Sequence, residues 1–362
     1  MGKKFHKLNS ECYLISGIKG FLVINLYTGD IIPLDNEAGM ILLNAELNQE
    51  IDVETPILSE LVKMGWSDFY DKPVYIEKIR VTNLYGKKHL WKAAPSINVA
   101  TIQLTNQCTL NCADCYSGQN CPSCRRYHGF TELKEEEWFK IVDILNLYDT
   151  QSLIITGGDP VLYSRFEAVL EYAKHKIPSV YVHVPSAQSA YKVLGKANIL
   201  YTVLDERDIE YIHALLKKAS GSIKVFCPSK YKQNLKGEPI SYVDTKSVII
   251  GKENVYNTAI EPYRLALKMM YNECFYGKIC INCQGELIPC LGNNKDVLGN
   301  VLADDFYETL KKVIVDYWYL SVDESDNKCR KCEYRYVCRN ICYYSEKENK
   351  ACRYDVEGRK WK

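Results

Sequence analysis

The sequence predicts an α/β protein: a parallel sheet or barrel of βα repeats, preceded by a small α+β unit and followed by a cysteine-rich segment. Three observations carry this. Residues 96–265 alternate strand-like and amphipathic runs, the pattern of a parallel sheet. Residues 1–95 place three strand-like runs ahead of helical ones. Of the 16 cysteines all but Cys12 and Cys227 cluster, five from Cys108 to Cys124 and nine from Cys274 to Cys352. A chain of 362 residues has room for two or three domains, and these divide as 1–95, 96–265 and 266–362.

The elements follow in order. Apolar runs at Cys12–Ser16 and Phe21–Tyr27 flank Gly17–Gly20 and predict a hairpin. Tyr27-Thr28-Gly29-Asp30 supplies a turn before a third run, Ile31–Leu34. Asp35-Asn36 caps a helical stretch, Ala38–Leu47. A second helix runs from Glu54-Thr55-Pro56 to Met64, with Pro in its first turn and Gly65 as stop. Beyond residue 96 the strand-like runs are Ile97–Leu104, Ser152–Thr156, Val180–Val184, Ile199–Leu204, Ile223–Phe226 and Ser247–Ile250. Between them lie the helical stretches Glu135–Tyr148, Arg165–His175, Ala187–Ala197 and Glu206–Ala219. Such repetition presents its functional loops at the carboxyl ends of the strands.

Composition narrows the function. Lys and Arg (46) balance Asp and Glu (45), so the charge gives no support for a nucleic-acid partner. No run approaches the roughly 18 apolar residues of a membrane span, and the start lacks a secretory apolar core. So many cysteines in a large chain without an export signal argue for thiolates on metal in a reducing cytoplasm. The six histidines show no metal spacing with one another, and His183 reads as core or barrel lining rather than a ligand.

The first cysteine group opens directly after a strand as Cys108-x3-Cys112-x2-Cys115. Three thiolates can wrap three irons of a cubane and leave the fourth open for a ligand. The end of the next strand carries Gly157-Gly158-Asp159-Pro160, where two glycines admit close backbone approach and the Asp can receive an ammonium. The competing reading of this region is a zinc knuckle, Cys112-x2-Cys115-x5-Cys121-x2-Cys124.

Together the two motifs resemble the radical S-adenosylmethionine (radical SAM) superfamily. The resemblance implies a partial (β/α)6 barrel in which Cys108, Cys112 and Cys115 hold a [4Fe–4S] cluster whose open iron takes the methionine moiety of SAM. It assigns Gly157, Gly158 and Asp159, with Tyr116, to SAM, and makes the product a 5′-deoxyadenosyl radical. The sequence departs from the family pattern at four places. Asp114 stands where an aromatic usually precedes the third cysteine, and Asp159 replaces a glutamate. Val184-Pro185-Ser186 ends the third strand without Asn-Gly, and Leu204-Asp205 runs straight into a helix.

The second group reads Cys274-x5-Cys280-x2-Cys283-x6-Cys290, then Cys329-x2-Cys332-x5-Cys338-x3-Cys342, then Cys352, with Gly285-x4-Cys290 inside it. This resembles a SPASM domain, element by element. The resemblance implies two further [4Fe–4S] clusters, one on Cys274, Cys280, Cys290 and Cys342, the other on Cys329, Cys332, Cys338 and Cys352. Two structural zinc sites are the bland alternative for the same thiols. Cys283 is left as a spare, a replacement for Cys280 or a substrate-side thiol.

In enzymes with this domain pair the preface often resembles a winged-helix-like peptide chaperone, which binds a leader peptide as an added strand. Residues 8–70 fit its order of elements. The expected activity is therefore maturation of a ribosomally made peptide by a thioether or carbon–carbon crosslink. Its implied partners are a precursor peptide and an electron donor such as flavodoxin or ferredoxin. Formylglycine formation and a non-catalytic peptide scaffold are the rival readings.

Overall fold

The structure is a computed structural model that describes residues 2–79, 96–108, 132–202, 206–218, 223–226, 241–243, 265, 267–269, 271–272, 274–291, 296–320, 328–338 and 354–361. It divides into two compact units. One comprises Met1–Leu90, Ile249–Cys274 and Tyr319–Lys362; the other comprises Trp91–Val248 and Phe275–Trp318. These units cut across the division at residue 266 expected from the sequence, because the carboxyl-terminal segment contributes to both.

In the first unit β1 (Lys3–Leu8), β2 (Cys12–Ser16), β3 (Phe21–Asn25) and β4 (Ile31–Leu34) precede α1 (Asn36–Glu46). The unit continues with β5 (Ile51–Asp52), α2 (Pro56–Lys63) and β6 (Ser67–Tyr70). The hairpin β2–β3 and its neighbour β4 form one antiparallel sheet; β5, β1 and β6 form another. Asp35 caps α1 by accepting from Ala38 N, and Pro56 opens α2, as the sequence predicts.

All five residues of β3 are buried, which requires cover on both faces. Phe21 and Val23 share a core with Leu42, Ala45, Leu58 and Leu61 of the two helices. Leu22 and Ile24 share a second core with Tyr334, Tyr336, Val337, Tyr354 and Val356. The cysteine-rich segment thus supplies the other half of the sandwich. β1, β5 and β6 are additions to the sequence expectation. β1 is hidden by its lysines: Lys7 donates to the Glu46 carbonyl, and His6 is buried with Nε2 2.7 Å from Ser67 Oγ.

The second unit is built on one nine-stranded sheet. Its strands are β7 (Val99–Thr105), β8 (Ser152–Gly157), β9 (Ser179–Val184), β10 (Asn198–Thr202), β11 (Ile223–Phe226) and β12 (Ser241–Val243), all parallel, then β13 (Lys278–Ile281), β14 (Glu286–Ile288) and β15 (Gly299–Asn300). The order is β12-β11-β10-β9-β8-β7-β13-β14-β15, with β13 parallel to β7 and the last two antiparallel. The α/β class holds, with a large parallel sheet. The expected strand Ser247–Ile250 lies outside the described residues.

Four helices alternate with the parallel strands: α3 (Glu135–Leu147), α4 (Phe166–Lys176), α5 (Ala187–Val193) and α6 (Arg207–Leu216). They cover one face of the sheet, where alternate residues such as Ile102, Ile155, Val182, Tyr201 and Val225 meet Trp138, Leu170 and Ile212. Each such large side chain taken fully from water stabilises by about 1.5–3 kcal/mol, so this face anchors the loops at the strand ends. No helix among the described residues is long and apolar enough to cross a membrane.

Candidate functional site

Cys108 and the run Gly157-Gly158-Asp159 lie at the carboxyl ends of the adjacent strands β7 and β8. Cys108 lies three residues past Thr105, the end of β7, and is half-buried. Gly158 N donates to Thr105 O (2.9 Å) and Asp159 N donates to Gln107 O (2.7 Å). The Gly-Gly-Asp segment is therefore bonded side by side to the residues that lead into the cysteine loop. Cys112, Cys115 and Tyr116 lie outside the described residues.

Gly157 makes this approach possible. Its φ is +148°, and a Cβ there would stand 2.4 Å from Thr105 O. Gly157→Ala is expected to lower stability by about 2 kcal/mol, since strain of this kind costs on the order of 1–3 kcal/mol, and chemical denaturation would read it directly. An unchanged midpoint would mean that the two strand ends are free to part. On the other side Thr105 Oγ1 donates to Glu132 Oε1, which also accepts from Asn106 N at 3.4 Å. Glu132 thereby fixes the same stretch from beyond the cysteine loop.

Asp159 is 3% exposed. Its Oδ1 accepts from Val161 N at 3.4 Å, capping a 3-10 turn, Pro160–Leu162. Its Oδ2 accepts from Ser189 Oγ, which in turn accepts from Ser186 Oγ at 2.9 Å. Ser186 is the amino-terminal cap of α5. Burial pushes the Asp159 carboxyl above the usual carboxylate range, and the hydrogen bond from Ser189 opposes this. No Lys, Arg or His among the described residues makes an ion pair with it within 4.0 Å. Lys192 acts on it only through its charge, without an ion pair, and a buried carboxylate so placed is an acceptor for a cationic ligand. Ser189, thirty residues distant in sequence, is the part of this site that spacing alone does not reveal.

The carboxyl-terminal cysteines fall in both units. Cys280 and Cys283 are buried and Cys290 half-buried in the second. Cys283 follows β13 and receives a hydrogen bond from the Asn106 side chain, two residues before Cys108; burial nevertheless pushes its thiol up to about 11. In the first unit Cys274 is exposed, while Cys329, Cys332 and Cys338 pack against the core beneath β3. Burial, together with Glu333 and the other two sulfurs, raises the Cys332 thiol. Cys342 and Cys352 lie outside the described residues. Thiols are the right donors for iron or zinc, but among the described residues no three His, Cys, Asp or Glu side chains are gathered closely enough to hold an ion.

No protein-family model matches the chain, and no curated protein matches it. Among solved structures, it is similar to Streptococcus suis SuiB bound to precursor peptide SuiA, at 14% identity over 94% of this chain and 96% of that one, with a TM-score of 0.45. SuiB bound to S-adenosylmethionine gives 13% identity, 94% and 96% coverage and a TM-score of 0.47. BtrN in complex with AdoMet and 2-DOIA gives 11% identity over 70% of this chain and 98% of that one, with a TM-score of 0.38. Likeness at this level is one of broad outline.

Proposed function

We propose that the chain is a radical SAM enzyme that modifies a ribosomally made peptide. The observation that carries the reading is the pairing of Gly158 and Asp159 with Thr105 and Gln107, beside the buried Asp159 carboxylate, with which no Lys, Arg or His among the described residues makes an ion pair. Cys108, Cys112 and Cys115 would hold a [4Fe–4S] cluster. Cys274, Cys280, Cys290 and Cys342 would hold a second, and Cys329, Cys332, Cys338 and Cys352 a third. With SAM bound, the first cluster would supply the electron for reductive cleavage of SAM.

The protein's own tasks are placement and exclusion of water. The Gly157–Gly158 backbone would border the ligand, and the missing Gly157 Cβ lets this stretch lie against Thr105 at the end of β7. Asp159, oriented by Ser189 and Val161 N, receives the ammonium of the amino-acid moiety. The helix-covered sheet holds these groups at fixed spacing. Residues 1–95 would capture the leader of the precursor peptide at a sheet edge, and an electron donor such as flavodoxin or ferredoxin would serve the cluster. The product is a crosslink, thioether or carbon–carbon.

Asp159→Asn keeps the shape and removes the charge. SAM affinity is expected to weaken by about thirtyfold, since a charged hydrogen bond contributes about 1.5–3 kcal/mol. The acid must be ionised to hold an ammonium, and burial raises its folded pKa. Wild-type affinity should therefore fall as pH drops through that raised value, and the Asn variant should show no such fall. Equal SAM affinity in the two proteins at neutral pH would remove Asp159 from the site, and with it the support for this reading.

A further inference from the structure

The hydroxyl that meets Asp159 comes from the helix after the neighbouring strand, and it arrives with a fixed direction. β9 runs parallel to β8, with Val182 opposite Ile155, and α5 opens soon after β9 ends. Ser186 is the cap of α5 and Ser189 closes its first turn, so the two hydroxyls stand together at that end of the helix. Ser189 is 3% exposed.

The direction follows from the chemistry of the groups. An ionised carboxylate only accepts, so Ser189 Oγ must donate its one proton to Asp159 Oδ2. Ser189 Oγ is then left as an acceptor, and Ser186 Oγ donates to it at 2.9 Å. Ser186 Oγ in turn accepts from Ser189 N at 3.2 Å. Each donor in the chain points toward the carboxylate, so each bond polarises the next. Val161 N reaches the other oxygen at 3.4 Å. Against the burial that raises the Asp159 pKa, the Ser189 bond is the largest opposing influence, ahead of Val161 N and the charge of Lys192. Ala190 and Val193 lie wholly within the core, so α5 is anchored by its apolar side and not by its hydroxyls. The serines are therefore free to serve the acid.

We infer that Ser189, with Ser186 behind it, is a positioning residue that fixes the Asp159 carboxylate before the ligand arrives, so that the pair selects a ligand bearing an ammonium group. The inference rests on the proposed SAM-binding function and adds to it the residues that make the acid selective. Ser189 and Asp159 then act as one unit, and removing both should cost little more than removing Asp159 alone.

The test uses the full-length protein, prepared without oxygen and replete with iron, titrated by calorimetry with two probes. One is S-adenosylhomocysteine; the other is its analogue lacking only the amino group. Ser189→Ala is expected to weaken S-adenosylhomocysteine about tenfold, the scale of a hydrogen bond to a charged group. The analogue should change by less than about twofold, since it has no ammonium for the acid to meet. In an Asp159→Asn background, Ser189→Ala should cost less than about twofold more for S-adenosylhomocysteine, because coupled groups are not additive. Circular dichroism and iron content check that each variant is intact. Unchanged S-adenosylhomocysteine affinity in Ser189→Ala, an equal loss for both probes, or a full further loss of about tenfold in the Asp159→Asn background would overturn the inference alone. A wild-type protein that binds neither S-adenosylhomocysteine nor SAM would overturn the SAM reading, and this inference with it.

Discussion

Replacing Cys108, Cys112 and Cys115 together by Ala is expected to lower iron from about twelve to about eight per chain and to abolish 5′-deoxyadenosine formation. The count follows from three cubanes of four irons, of which the triple variant removes one. The loss is expected to be selective because the resemblance assigns the remaining thiols to the other two clusters: Cys280 lies within β13 and Cys290 beyond β14, and Cys329, Cys332 and Cys338 belong to the other compact unit. The stretch entering the loop is held independently of the thiols, through Gly158 N on Thr105 O and Thr105 Oγ1 on Glu132. The variant should therefore fold, and its iron content should report on the cluster alone. Metal analysis of wild type and variant, prepared together without oxygen, decides the matter. Unchanged iron, or zinc lost in its place, would end the radical mechanism and leave a peptide-binding scaffold.

What the sequence discloses about this site is what lies close together along the chain. Both strand-end motifs were legible because each is a short run at a strand's carboxyl end. The helix-capping Asp35 and Pro56 were legible for the same reason: a cap acts on its own first turn. The partners that orient these motifs were not. Ser189 reaches Asp159 across thirty residues, and Glu132 reaches Thr105 across twenty-seven. His183 was read as core or barrel lining, and its strand alternation places it opposite Val182 and Val184, which meet the helices. That it stands beside Thr156 depends on the register of β9 against β8, which no local pattern encodes. β1 was invisible because Lys3, Lys4 and Lys7 mask a central strand, and the lysine that is buried is satisfied by Glu46, thirty-nine residues away. β13 joins β7 from the far end of the sequence, a parallel pairing that periodicity does not announce.

The same long-range packing yields the second large effect. Cys329→Ala with Cys332→Ala is expected to loosen the amino-terminal sheet, although both positions are some three hundred residues from it. The hairpin between β2 and β3 is bonded to this segment: Ile18 N donates to Lys331 O at 2.9 Å, and Arg335 Nη1 donates to Ser16 O at 2.7 Å. Gly17 lies so close to Glu333 that a Cβ would stand 2.7 Å from its carboxylate oxygen. Arg359 Nη2 donates to Leu34 O at 2.6 Å, tying β4 to the last described residues. Leu22 and Ile24 lose one whole side of their cover if this segment opens, since Tyr334, Tyr336 and Val337 lie between the three cysteines in sequence and beneath β3 in space. Losing part of such a core costs on the order of 3 kcal/mol, which is roughly a hundredfold faster amide exchange where opening is local. Hydrogen exchange followed by mass spectrometry should therefore show residues 12–26 exchanging about a hundredfold faster in the double variant. Cys274→Ala, at an exposed position, should leave them unchanged. Equal protection of residues 12–26 in wild type and double variant would show that the sheet stands without the cysteine segment. A hundredfold loss would mean that the unit proposed to receive the leader peptide is held by the same segment that carries the last group of thiols, so that the state of those thiols sets whether the peptide is received at all.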